Sequence, residues 1–128
     1  LAVIKKALAD VPIAGTAARA FAGAGYTSAG KTGTAQVFTL KQTEKYDAKR
    51  VAEHLRDHAW YMAYAPADNP KIAIAVLVEN GGFGAQSAAP IARMVFDYAL
   101  LGKKPEKPGP APFLAPKPGA SADDEEAD

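Results

Sequence analysis

Lys31 belongs to two overlapping sequence patterns that imply different chemistry. Read with the residues before it, the segment 25–32 fits the phosphate-binding loop Gly-x-x-x-x-Gly-Lys-[Ser/Thr]. Read with the residues after it, Lys31-Thr32-Gly33-Thr34 places an amine, two hydroxyls and a residue without a side chain in consecutive positions. Each pattern is short enough to arise by accident, so the secondary structure around the lysine has to discriminate between them.

The flanks of Lys31 disfavour the phosphate loop. Such a loop needs a buried strand before it and a helix after it, so that backbone N–H groups face the phosphates. Here residues 17–22 are rich in Ala and helix-like, whereas Val37, Phe38 and Thr39 are strand formers. The sequence favours the opposite arrangement, an edge strand that lines a cleft, in which Gly33 leaves room for a ligand.

A third pattern, Ser28-Ala29-Gly30-Lys31, is formally Ser-x-x-Lys. That motif works when a helical turn brings the serine hydroxyl and the lysine amine onto one face. Because these residues lead into a predicted strand, we reject Ser28 as a nucleophile. The sequence contains no Ser-x-Asn and no Tyr-x-Asn.

The elements before and around the lysine are predicted from periodicity. Leu1, Ile4 and Leu8 recur at helical spacing and predict a helix that runs up to Pro12. A short Ala-rich helix is expected over residues 16–23. Residues 36–40 are β-branched and aromatic, which predicts a strand that reaches back to Lys31.

Two further strands and a helix follow. Residues 59–65 and 72–78 read as strands, and the turn at 66–70 makes them an antiparallel hairpin. The second of these strands is expected to be fully buried. A helix follows whose apolar positions recur at i, i+3, i+4 and i+7, and this apolar face is expected to lie on the sheet: Ile91, Met94, Val95 and Tyr98. Residues 41–57 are strongly charged and predict a loop or a short exposed helix around 51–56.

Composition bounds the remaining possibilities. The chain has 128 residues, a net charge of +1 and no Cys, so neither a nucleic-acid-binding stripe nor a thiolate metal site is predicted. Residues 102–128 hold six of the ten Pro and end in an acidic run. We therefore predict a folded part over 1–101 and a disordered tail over 102–128, and consider an acidic partner-binding tail less favoured.

Three stretches together carry a resemblance to a known family. The segment 26–38 resembles the third active-site motif of class B penicillin-binding proteins, 58–66 resembles the strand that follows it, and 74–82 resembles the last strand and its exit. The likeness covers roughly residues 1–102 and is greatest to the elongation-type members. It implies the C-terminal portion of the serine β-lactamase and penicillin-binding transpeptidase fold, of the α/β class in its α+β form, with an antiparallel sheet flanked by helices.

The resemblance also implies an activity and roles for individual residues. The activity is peptidoglycan D,D-transpeptidation, in which a serine attacks a D-Ala-D-Ala stem peptide or a β-lactam. Lys31 would supply positive charge beside the nucleophile, and the Thr34 backbone N–H would be one oxyanion-hole donor. The residues expected to contact the substrate are Lys31, Thr32, Gly33, Thr34, Gln36 and Trp60. The catalytic serine is absent from these 128 residues, so we expect it in a preceding part of a longer protein.

The same resemblance implies location and partners. It predicts no cofactor, a membrane anchor before Leu1, the periplasmic face of the inner membrane, and membrane proteins of the elongation machinery as partners. Alternatives are a serine β-lactamase, a D,D-carboxypeptidase, a nucleotide-binding phosphate-loop module and an interaction scaffold. His54 and His58 at i, i+4 could be metal ligands, but no carboxylate or Cys stands at a supporting spacing, so no metal is predicted.

Overall fold

The computed structural model describes residues 1–37 and 52–105, without the side chain of Glu53. The predicted strand residues 38–40, most of the charged segment and the tail from 106 onward lie outside the described residues. A 3₁₀ turn at Glu53–Leu55 precedes the second strand. The elements are α1 (Ala2–Ala14), α2 (Ala18–Phe21), β1 (Ala29–Ala35), β2 (His58–Ala65), β3 (Ile72–Val78) and α3 (Gly84–Leu101).

The three strands form an antiparallel sheet in the order β1-β2-β3. The predicted hairpin between the second and third strands is therefore confirmed. Thr32 of β1 pairs with Tyr61 of β2, and the neighbouring pair is Gly33 with Trp60. Because side chains alternate along a strand, opposed residues share a face, and these two pairs lie on opposite faces of the sheet.

Helices cover one face of the sheet, and the core lies between these helices and the sheet. Tyr61 and Phe96 are fully buried there, and the rings of Phe21 and Tyr61 lie 5.8 Å apart. Phe21 also packs against Phe96 at 6.3 Å, which joins α2, α3 and the sheet. The other face, which we call the open face, carries no helix among the described residues, and its large apolar side chains Trp60, Met62 and Leu77 are exposed.

The predicted orientation of α3 is wrong. The expected apolar face is exposed by 38% at Ile91 and by 58% at Tyr98. The residues that face the core are smaller, with Phe96 as the one large side chain: Gly84, Ala88, Ala89, Ala92 and Phe96. Hydrophobic periodicity selects bulky residues, but a helix whose facing residues are Ala or Gly can lie closer to a sheet and leave the bulky ones outside.

Three other expectations differ from the structure. The third strand is not fully buried, because it lies at the edge of the sheet and every second residue points to the open face. Helix α1 continues through the buried Pro12 to Ala14 and ends where the Gly15 N–H bonds to the Asp10 carbonyl. Strand β1 begins and ends earlier than predicted, so the Lys-Thr-Gly-Thr residues lie in its middle.

Substitution of Ala92 by Leu tests the close approach of α3. Ala92 is fully buried, so the added side chain has no space and should lower the free energy of unfolding by about 1–3 kcal/mol. Urea unfolding of the transpeptidase domain measures this. The matched control is Met94→Leu on the exposed side of the same helix, which should change stability by less than about 0.5 kcal/mol. Equal stability of the two variants would contradict the packing described.

Candidate functional site

The Lys-Thr-Gly-Thr residues lie along β1, the edge strand opposite β3 in the sheet. Thr32 and Thr34 point to the helix-covered face, and Lys31 and Gly33 point to the open face. The strand therefore presents two hydroxyls on one side and an amine with a side-chain-free position on the other. Both sets of groups therefore lie at the β1 edge of the sheet.

Lys31 has an exposed side chain whose end folds back onto its own strand. Its Nζ donates a hydrogen bond of 2.8 Å to the carbonyl oxygen of Thr32. The ammonium therefore lies close to the backbone of the next two residues. This position beside Thr32 is consistent with an amine that acts at the strand edge.

Thr32 is 3% exposed, and its hydroxyl lies 2.7 Å from the hydroxyl of Thr16. Thr16 lies in the connection between α1 and α2, and α1 packs against β1. Sequence reasoning missed this residue, because no periodicity links positions 16 residues apart. Only the three-dimensional arrangement makes Thr16 a neighbour of the site.

Gly33 is not required by packing within the described residues. A Cβ added there would lie 3.5 Å from the Cβ of Trp60, an ordinary van der Waals contact. Packing within the described residues therefore gives no reason for a glycine at position 33. The predicted reason, room for a ligand against the strand, stays a prediction.

The two remaining predicted contact residues, Trp60 and Gln36, lie on β2 and just after β1. Trp60 is directly opposite Gly33, on the open face, and 38% of it is exposed. Gln36 follows the last residue of β1 and is exposed. The structure therefore brings Lys31, Gly33 and Trp60 together on one face, whereas Thr32 and Thr34 share the other.

Two tyrosines near β1 have raised pKa values: Tyr61, which lies beneath the strand, and Tyr26, which precedes it. Burial raises the pKa of Tyr61 to about 12, so its phenol is neutral at physiological pH. Its hydroxyl has no hydrogen-bond partner among the described residues, and it lies under Gly30, where an added Cβ would come within 2.7 Å of it. Burial, followed by a hydrogen bond of 2.8 Å to Asp97, also raises the pKa of Tyr26.

Two residues of α3, Asp97 and Arg93, anchor the segment that leads into β1. Arg93 donates to Asp97 at 2.8 Å and to the carbonyls of Ala20 and Ala22 at 3.2 and 3.0 Å. Closer to β1, Thr27 donates to Asp68 at 2.9 Å, and this bond lowers the pKa of the Asp68 carboxyl. The start of the strand is thus held from both the helix and the hairpin turn.

The alternative sites find no support in the geometry. Lys31 lies within a strand that follows α2, the reverse of the strand and helix order that a phosphate loop needs. Ser28 is 6% exposed and immediately precedes that strand, so it shares no helical turn with Lys31. His58 accepts the Asn80 N–H at 2.9 Å through Nδ1. No group of three metal-ligating side chains occurs within 1–37 and 52–105.

The family is decided by a profile match. The penicillin-binding protein transpeptidase domain matches residues 1–97. The chain belongs to this family. It is 53% identical over 92 residues to the peptidoglycan D,D-transpeptidase MrdA of Haemophilus influenzae. The aligned part covers 72% of this chain and 14% of that protein. The predicted family is therefore confirmed, and the chain spans only a small part of the length of this relative.

Solved structures of the family agree. Penicillin-binding protein 2 of Pseudomonas aeruginosa, in complex with WCK 5153, is 40% identical with a TM-score of 0.61 and covers 76% of this chain and 19% of its own. Penicillin-binding protein 2 of Helicobacter pylori, in complex with MreC, is 36% identical with a TM-score of 0.52 over 69% of this chain and 14% of its own. The predicted fold class is thus confirmed. No described helix of this chain is both long and apolar enough to cross a membrane.

The Thr16–Thr32 contact is testable by a double-mutant cycle. Val is close in shape to Thr but lacks the hydroxyl, so Thr16→Val and Thr32→Val each remove one side of the pair. Because either single variant already removes the same hydroxyl–hydroxyl bond, the double variant should lose less stability than the sum of the single variants, by about 1 kcal/mol. Urea unfolding of the transpeptidase domain gives the four free energies. Strict additivity would show that the hydroxyl pair does not stabilise the site.

Proposed function

We propose that the protein containing this chain is a peptidoglycan D,D-transpeptidase of the penicillin-binding protein 2 type. It would cross-link stem peptides through a serine acyl-enzyme and would bind penicillin at the same serine. The observation that carries the proposal is the Lys-Thr-Gly-Thr sequence on an edge strand, in a chain of the transpeptidase family. The relative from Haemophilus influenzae, which bears that name, supports it.

In this proposal, Thr34 and Lys31 take the catalytic roles. The backbone N–H of Thr34 and that of the serine form the oxyanion hole, which stabilises the negative oxygen of the tetrahedral intermediate. The Lys31 ammonium adds positive charge at the edge of β1, next to the nucleophile. The exposure of the Lys31 side chain supports this role, because the side chain is accessible from the open face.

Five residues bind the substrate in the same proposal, beside Lys31. The Thr34 hydroxyl makes the main contact with the terminal carboxylate, because Thr34 is more accessible than Thr32. Thr32 makes a second contact and shares its hydroxyl with Thr16. Gly33 lets the substrate lie against the strand. Gln36 and Trp60 line the cleft, and their exposure supports that role.

Location and partners form the finer part of the proposal. We place the transpeptidase domain at the periplasmic face of the bacterial inner membrane, anchored by a preceding segment, with a role in cell elongation and cell shape. A partner from the elongation machinery is supported by the Helicobacter pylori protein, which was solved in complex with MreC. Residues 1–101 would be the domain portion and 102–128 a tail that takes no part in the chemistry.

The 128-residue chain alone should form no covalent adduct with a labelled penicillin. It lacks a Ser-x-x-Lys sequence other than the one at Ser28, which leads into a strand. Intact-protein mass spectrometry measures the adduct, and the complete protein is the positive control. A stable acyl mass mapped to Ser28 in the chain alone would contradict this assignment. Absence of an adduct on the complete protein would contradict the proposed function.

Thr34→Val in the complete protein tests the contact with the carboxylate. The change keeps the N–H and the shape suited to a strand but deletes the hydroxyl. A hydrogen bond to a charged group is worth about 1.5–3 kcal/mol, so acylation by a carboxylate-bearing β-lactam should slow by about ten- to a hundredfold. Stopped-flow acylation kinetics measure the rate.

The control for Thr34→Val is a neutral ester of the same β-lactam. It has no carboxylate to lose, so it should acylate the variant and the parent at similar rates. If the ester slows as much as the acid, Thr34 does not bind the carboxylate and its hydroxyl has a structural role only.

A further inference from the structure

The first residue of α3 lies directly against the backbone of the proposed oxyanion strand. Gly84 is buried, and a Cβ added to it would overlap the carbonyl oxygen of Trp60. The same Cβ would lie 2.7 Å from the Gly33 carbonyl oxygen and 2.9 Å from the Gly33 nitrogen. The helix start therefore lies against β1 and β2 at the Gly33–Trp60 pair, and the nearest atoms there are backbone atoms.

The glycine at position 84 is required by space and not by backbone conformation. Gly82 and Gly102 have positive φ angles of 71° and 66°, whereas Gly84 is not among the residues with positive φ. An Ala at 84 would adopt the helical backbone without strain, but the three atoms nearest to its Cβ all belong to main chains. No side-chain rotation can relieve the overlap, so either α3 has to move or the sheet has to distort at the Gly33–Trp60 pair.

The start of α3 is tied in place and cannot easily retreat. The Ser87 hydroxyl donates to the Gly81 carbonyl at 2.6 Å, which fastens the first turn of the helix to the preceding loop. The Gly82 N–H in turn bonds to the Asp57 carbonyl at 2.9 Å, beside the start of β2. Because the loop is fastened to β2, the helix start cannot easily move away from the Trp60 carbonyl, and an added side chain at position 84 should distort the sheet at the Gly33–Trp60 pair.

The atom nearest to Gly84 on β1 controls the direction of the Thr34 N–H. The Gly33 carbonyl and the Thr34 N–H belong to one planar peptide unit, and this unit is trans, since Ala65–Pro66 is the only cis bond within the described residues. In a trans unit the N–H points opposite to the C=O. A contact that fixes the Gly33 carbonyl therefore also fixes the Thr34 N–H, which points away from Gly84.

We propose that Gly84 is a positioning residue for the oxyanion hole. Its missing side chain lets the start of α3 support the Gly33–Thr34 peptide from the helix-covered face of the sheet. This role rests on the proposed function of the Thr34 N–H. Gly84 itself touches no substrate and acts only through the peptide unit it supports.

Gly84→Ala in the complete protein tests the role. Two constants are measured for a β-lactam by stopped-flow kinetics: the dissociation constant of the non-covalent complex and the rate constant of acylation. A misdirected oxyanion donor weakens only the transition state, so acylation should slow by about ten- to a hundredfold while the dissociation constant stays within about twofold.

Gly102→Ala is the matched control. It is the same chemical change in the same helix, but at the other end, about 27 Å away along the 18 residues of α3. Gly102 has nothing within 4 Å of an added Cβ and a positive φ of 66°, so the substitution strains the helix end without pushing on β1. The thermal midpoint should fall, but both kinetic constants should remain those of the parent.

Ser87→Ala decides the question if Gly84→Ala does not fold. It removes the 2.6 Å bond to Gly81 and loosens the helix start without adding an atom. Acylation should then slow by at least about twofold at an unchanged dissociation constant, since one neutral hydrogen bond corresponds to about two- to tenfold.

The outcomes separate this inference from the proposed function. A parent protein that forms no acyl-enzyme contradicts the proposed function itself. A parent that is acylated, with Gly84→Ala acylated at the same rate, overturns the role of Gly84 and leaves the function intact. The role is also overturned if acylation slows equally in Gly84→Ala and Gly102→Ala. It is overturned as well if Gly84→Ala changes only the dissociation constant. If Gly84→Ala does not fold, parent-like acylation by Ser87→Ala does the same.

Discussion

The close contact between α3 and the sheet determines the arrangement of the described residues. Ala88, Ala89 and Ala92 separate the helix from the strands, and each is fully buried. Small side chains let two backbones approach, and the dense packing that results leaves little freedom for either partner. Further along the helix, Phe96 fills the wider space with Phe21. The helix therefore meets the sheet by backbone contact at its start and by aromatic packing nearer its end.

This contact supports β1 on one face, and no other strand within 1–37 and 52–105 pairs with its outer edge. An edge strand exposes N–H and C=O groups that another chain can pair with, which makes unsupported edges prone to non-specific association. Here β1 is held by β2 at one side, by α3 from the covered face and by the Thr16 hydroxyl at Thr32. An extended peptide added to such an edge would meet a strand whose position is already fixed, which lowers the cost of ordering on binding.

The sequence allowed the elements and the motif to be predicted, but not the way the elements face each other. The hairpin strands and the Lys-Thr-Gly-Thr strand were found because turn residues, β-branched residues and motif spacing are local signals. The orientation of α3 was missed because the bulky stripe of Met94 and Tyr98 outweighed the Ala positions in a periodicity count. Which residues of α3 are buried depends on how closely the helix approaches the sheet, and the helix sequence alone does not give that distance. The Thr16 contact and the backbone contact of Gly84 were missed for the same reason, since neither has a periodic signature.

The open face is the second side from which packing can act on β1. Trp60, Met62 and Leu77 form an exposed apolar surface on the side of the sheet away from α3. The chain covers 14% of its Haemophilus influenzae relative, so most of such a protein lies outside the sequence described. Each square ångström of apolar surface that another segment covered would contribute about 25 cal/mol. Any segment packed there would press on the sheet from the side opposite Gly84. The position of the Thr34 N–H would then depend on packing from both faces, which is how a strand at the edge of a thin sheet can hold a donor within the tolerance that transition-state stabilisation requires.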